Sequence, residues 1–172
     1  MAFKQKGSLF PQGAPVLRSE ILKNSITVTV MDSVKQVSGF TELGTGGALV
    51  FGHVFSHVTR DGVGLETSGA TGAETGSYVG TFATASNNQT VGKVKAMCDI
   101  SKFTLYSAEI DAASGTTTGS NLAGYNFDLI DEDTLDESTS ATTTAQYHSH
   151  GVDSTVTDHV IVNILESSVF GV

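Results

Sequence analysis

The chain alternates apolar and polar residues in short runs, and those runs are its clearest structural signal. Ser25–Met31 sets Ile26, Val28 and Val30 between threonines. A period of two with β-branched side chains predicts a half-buried strand. Ala48–Val58 predicts a second strand, with Leu49, Phe51 and Phe55 as its large residues and Gly52 marking a bulge or a close backbone approach. His53 and His57 lie four apart, which puts both on one side of a strand. Further strands are predicted over Tyr78–Thr84, Val91–Ile100, Phe103–Ile110, Leu122–Ile130 (anchored by Tyr125 and Phe127) and Ala145–His150. His159–Leu165 is almost continuously apolar and reads as a strand buried on both faces. Ser86–Gln89 is a turn. The sum is about eight short strands punctuated by Gly, Ser and Thr, which predicts a compact all-β sandwich or barrel. No repeat of solenoid or propeller length is present.

Residues 1–24 interrupt this pattern. Gly7, Pro11, Gly13 and Pro15 break regular structure, while Phe3, Leu9, Phe10, Val16 and Leu17 supply apolar anchors. The segment reads as an extended N-terminal arm that docks on something, with at most one helical turn over Leu17–Lys23. Residues 25–172 read as one β-rich domain. Within it, residues 60–80 form a long Gly-, Thr- and Ser-rich loop.

Composition narrows the functional classes. A chain of 172 residues with 39% hydrophobic content buries one good core. No apolar run reaches the roughly 20 residues of a membrane span, and the start has no apolar stretch of signal-peptide type. The single cysteine, Cys98, forms no internal disulfide and lies in an alternating run as an inert core thiol. The net charge of −9 disfavours a nucleic-acid partner. Its distribution is more informative. All nine Lys and Arg lie in residues 1–102 with seven acids, and the other 11 acids lie in residues 103–172 with no Lys or Arg. Those carboxylates face water, bind cations or meet a positive partner.

Chemistry-bearing motifs are weak. His148 and His150, at i and i+2, share one side of a strand, and with Asp153 they resemble three ligands of a divalent metal, with Asp158 and His159 nearby. No second spaced motif supports that set. Exposed strand-end histidines are the commoner explanation, and no metal or cofactor is assigned. Asp131–Glu137 crowds carboxylates but lacks the glycine of an EF-hand loop, so it reads as a solvated turn. There is no Gly-x-Ser-x-Gly, and Gly44-Thr45-Gly46-Gly47 lacks the Lys of a phosphate loop. Asn88-Gln89-Thr90 matches a glycosylation sequon with no signal peptide before it. Tyr78, Tyr106, Tyr125 and Tyr147 offer stacking faces for a carbohydrate, or fill the core. No catalytic residue is assigned, and the expectation is a non-enzymatic protein.

A family resemblance rests on several stretches. They are Ala85–Lys95, Gly115–Thr118, Ser120–Tyr125, Phe127–Leu129, Asp133–Ser138, Ala141–Gln146 and the closing Val160–Glu166. Over roughly residues 80–172 the chain resembles the head decoration, or cement, proteins of tailed bacteriophages. The resemblance implies a β-rich virion protein, often a homotrimer. Such a protein is made in the host cytoplasm, added to the capsid exterior, and clamps neighbouring major capsid subunits. It implies no active site, cofactor, nucleic acid or membrane. Phe3, Phe10 and Leu17 of the arm are the expected partner contacts. The alternatives are another phage exterior part (a head fibre base, tail-tube or baseplate protein) or a carbohydrate- or cation-binding β module.

Overall fold

A computed structural model describes residues 3–8, 15–59, 81–84, 86–92, 94–111, 122–136 and 145–165. They form thirteen strands and one helical turn. The all-β expectation holds, and the architecture is of the closed-barrel kind. No helix among the described residues is long and apolar enough to cross a membrane.

Two hydrophobic cores organise the strands. The first lies inside β9 (Thr104–Ile110), β10 (Asn126–Leu129), β11 (Thr134–Asp136), β12 (Tyr147–Val152) and β13 (His159–Ile164). These five close into a ring in the order β9-β11-β10-β12-β13, returning to β9. An odd-numbered ring cannot alternate strand direction all the way round, so one neighbouring pair must be parallel. That pair is β11–β9, joined at Thr134–Glu109 and Leu135–Ile110. Tyr106, Phe127, Leu135, Tyr147, Val160, Val162 and Ile164 fill the interior, which we call the aromatic barrel.

The second core lies under β2 (Leu17–Ile21), β8 (Val94–Asp99), β6 (Gly52–Thr59), β4 (Ser33–Val37) and β5 (Phe40–Leu43), paired in that order. This sheet rolls until its outer strands meet at one parallel bridge, Leu22–Thr41, backed by Lys23 N–H donating to Thr41 O at 2.9 Å. Again five strands require one parallel contact. Leu22, Val28, Val34, Val54, Val94, Ala96 and Cys98 make an aliphatic interior, and we call this unit the aliphatic barrel. Its closure is fastened by Asn88, in the short helix α1 (Asn88–Val91). The Asn88 amide donates to Leu22 O (2.7 Å) and Val94 O (3.0 Å) and accepts from Val94 N (2.8 Å). A small ribbon of β3 (Thr27–Thr29) and β7 (Thr81–Ala83) lies beside it.

Several expectations need correction. Residues 3–8 and 15–24 are not a separate arm. β1 (Lys4–Ser8) pairs with β9 over Thr104–Ser107, the stretch of that edge which β11 leaves open. Leu17–Lys23 is the strand β2 and its end rather than a helical turn, because β8 offers it a full ladder from Leu17–Asp99 to Ile21–Lys95. Residues 25–172 do not enclose a single core. β13 buries one face completely and the other only in part, since Ile161 and Asn163 stay half-exposed. A bulge between Val54 and Ser56 breaks the even spacing of His53 and His57. Gly52 does mark a close approach, as a Cβ there would stand 2.5 Å from Asp99 O. The loop at 60–80 lies outside the described residues.

Candidate functional site

The two barrels meet along a row of polar side chains. Ser33 pairs with His53, and His53 pairs with Asp99, across β4, β6 and β8. Their immediate neighbours Val34, Val54 and Cys98 point the other way, into the aliphatic core. Strand alternation therefore aims Ser33, His53 and Asp99 together at the aromatic barrel.

Each of the three is answered there. Ser33 Oγ donates to Glu132 O at 2.6 Å. His53 Nδ1 is 3.0 Å from Met31 O and must donate to it, which leaves Nε2 to accept from the Tyr147 hydroxyl at 3.0 Å. Asp99 accepts from Tyr106 OH (2.9 Å), Thr104 Oγ1 (2.8 Å), Ser101 N (2.9 Å) and Val16 N (3.1 Å). Burial is the main reason that His53 is pushed down to about 4. Burial likewise pushes the Tyr106 and Tyr147 phenols well above their usual range, with Asp99 adding to the Tyr106 shift. The ring is thus neutral at pH 7, and the void beside it is too narrow for a water. Gln146 adds a second clasp, donating to Ala48 O and accepting from Leu129 N, both at 2.8 Å.

Phe3 sits on this seam. Its ring centroid is 4.4 Å from that of His53 and 5.2 Å from that of Tyr147, and it is only 2% exposed. The expectation that Phe3 contacts a partner is therefore corrected, because its pocket is inside its own chain. β1 is held there by Lys6, whose ammonium lies 2.8 Å from Asp153 Oδ2. Phe10 lies outside the described residues. Leu17 is 42% exposed, next to Val16 at 53%, on the half of β2 whose outer edge pairs with no strand among the described residues.

The expected metal set also separates. His148 and His150 face outward on β12, but Asp153 lies beyond a bulge between Ser149 and Gly151 and is buried against Lys6, Ser107 and Thr155. Burial alone would raise the Asp153 carboxyl. Hydrogen bonds from Lys6, Ser107 Oγ (2.6 Å) and Thr155 (Oγ1 at 2.6 Å) instead hold it far below the usual carboxylate range. Among the described residues no three His, Cys, Asp or Glu side chains are grouped to hold a metal ion. Of the tyrosines, Tyr106 and Tyr147 are core, Tyr125 is 43% exposed, and Tyr78 lies outside the described residues.

One cavity opens beside the seam. It holds about 600 Å³ and is lined by Ile26, Thr27, Thr29, Asp32 and Leu43 from one side and Glu132 and Asp133 from the other. Asp32 is 5% exposed and accepts from Thr29 N at 2.7 Å. Burial, reinforced by Glu132, Asp133 and Asp131, pushes its carboxyl up to about 7. Sequence reading took 131–137 as a solvated acidic turn, whereas Thr134–Asp136 is the strand β11 with Leu135 buried, and it missed Asp32, which is distant in sequence and carries no motif.

The fold and site thus define an all-β protein of two barrels joined by a buried polar seam, with an exposed apolar strand edge. No family model, curated protein or solved structure matches the chain.

Proposed function

We propose that the protein is a non-enzymatic structural component of a tailed-phage virion. It binds the capsid exterior and holds neighbouring major capsid subunits together. The observation that carries this reading is the pairing of an internally locked two-barrel body with an apolar strand edge left open among the described residues. Val16 and Leu17 present apolar surface there, beside the backbone groups of β2 that have no ladder partner among the described residues. Such an edge fits β-augmentation by a neighbouring subunit, with backbone hydrogen bonds for affinity and Leu17 for specificity. Repetition over a lattice multiplies a weak contact. The resemblance to decoration proteins supplies the capsid as partner and the trimer as oligomeric state.

Co-sedimentation with expanded, undecorated phage shells tests the proposal. Stoichiometric binding that falls at least tenfold in Leu17→Glu is the expected result. Self-assembly into rings or tubes without shell binding would replace it with the tail-component reading. Saturable glycan binding without shell binding would replace it with the carbohydrate module.

A further inference from the structure

The outward pair on β12 carries an assignment of its own, independent of the virion reading. We propose that His148 and His150 form a two-imidazole site for a single late transition-metal ion of the Zn²⁺, Ni²⁺ or Cu²⁺ class on the outer wall of the aromatic barrel.

The geometry argues it from the outside in. The two rings are neighbours on one face, with centroids 5.3 Å apart and planes at 85°. Both are held from behind by asparagine amides on the flanking strands. Asn163, on β13, donates its Nδ2 hydrogens to Lys102 O (2.9 Å) and Ile164 O (3.1 Å). Its Oδ1 is therefore oriented as an acceptor, and His150 Nε2, 2.7 Å away, must carry the proton. The lone pair of His150 is then on Nδ1. Asn126, on β10, stands directly across from His148 in the ladder and places Oδ1 2.8 Å from His148 Nδ1. Donation there leaves the lone pair of His148 on Nε2.

An imidazole whose second nitrogen donates to an amide oxygen has the outer-shell support of a metal-bound histidine, with tautomer and ring orientation set before the ion arrives. Neutral imidazole suits Zn, Cu and Ni, whereas Ca and Mg prefer oxygen ligands. Asp153 is committed to Lys6, Ser107 and Thr155 and takes no part. Water fills the remaining coordination positions.

Isothermal titration of the full-length protein with zinc chloride, repeated with nickel chloride, tests the assignment. One equivalent should bind, and His148→Gln and His150→Gln should each weaken binding at least tenfold. Both positions face solvent, and circular dichroism checks that each variant is folded. Asn163→Ala, which keeps both imidazoles but removes the acceptor for His150, should weaken binding by roughly tenfold. Imidazole ¹H–¹⁵N correlations should shift on zinc addition for His148 and His150, while buried His53 and His159 stay fixed. Absence of saturable binding, or binding that survives the double substitution, would overturn the proposal.

Discussion

The two barrels solve one topological problem with unequal means. Each has five strands and needs one parallel contact to close. The aromatic barrel closes through a two-residue pairing, and β1 covers the rest of that edge with Phe3 plugged inside. The aliphatic barrel closes through a single bridge, with Asn88 as its clasp. The charges follow the same division. The aromatic barrel's strands and their connections lie in the acid-rich stretch, yet the cation that holds β1 on it, Lys6, comes from the other end of the chain. The N-terminus is therefore the third partner that joins the two barrels, and the weak point is expected where the aliphatic barrel closes.

The largest predicted effect removes that third partner. Phe3→Ala empties a site shared by His53, Tyr106 and Tyr147 and should cost about 3–5 kcal/mol in denaturant unfolding. If the cost were below about 1 kcal/mol, β1 would not be the plug described.

Next comes pH, where Asp32 and His53, both on the aliphatic barrel's side of the seam, contribute opposite slopes. Asp32 has a folded value raised to about 7, against 3.8 ordinarily. Its protonated form therefore contributes stability that is complete below pH 3.8 and gone above pH 7. His53 has a folded value lowered to about 4, against 6.5 ordinarily. Its contribution is complete above pH 6.5 and lost as pH falls through 4. Asp32→Asn should raise stability at pH 8 by up to about 3 kcal/mol and leave it nearly unchanged at pH 3.5. The remaining profile between pH 4 and 6.5 should then rise with pH, following His53 and, in the same direction, His148, which burial and the neighbouring His150 hold below its ordinary value. A variant whose stability curve parallels the parent's would contradict the burial of Asp32.

Tyr147→Phe keeps the ring and leaves His53 Nε2 without its donor, at an expected cost of about 1–3 kcal/mol. The smallest effect has the opposite sign. Thr41 is fully buried at the aliphatic closure, and its Oγ1 has no hydrogen-bond partner among the described residues. Thr41→Val should therefore stabilise by about 1 kcal/mol, read as a shift in the unfolding midpoint.

What the sequence disclosed follows from how each element is buried. β8 was legible because Val94, Ala96 and Cys98 alternate with half-exposed neighbours. The hairpin of β4 and β5 was missed although Ser38 and Gly39, with φ of 52° and 83°, are a turn signal of the primed hairpin type. Its Lys35 and Gln36 stay out of the core, so hydrophobic periodicity is faint. β1 reads as polar because backbone pairing and one phenylalanine do its work. The outward His148 and His150 pair followed from strand period. The seam did not, because Ser33, His53 and Asp99 become neighbours only when β4, β6 and β8 are set side by side.

The central claim is that the seam welds two barrels into one body that opens first at the aliphatic closure. Native-state amide hydrogen exchange across a denaturant series tests it directly. The amides of β9, β12 and β13 should exchange only through global unfolding, while Lys23 N–H, bonded to Thr41 O, should exchange through a lower-energy local opening. Equal protection of Lys23 and the β13 core, or exchange of the aromatic barrel at lower energy than the aliphatic one, would contradict the account.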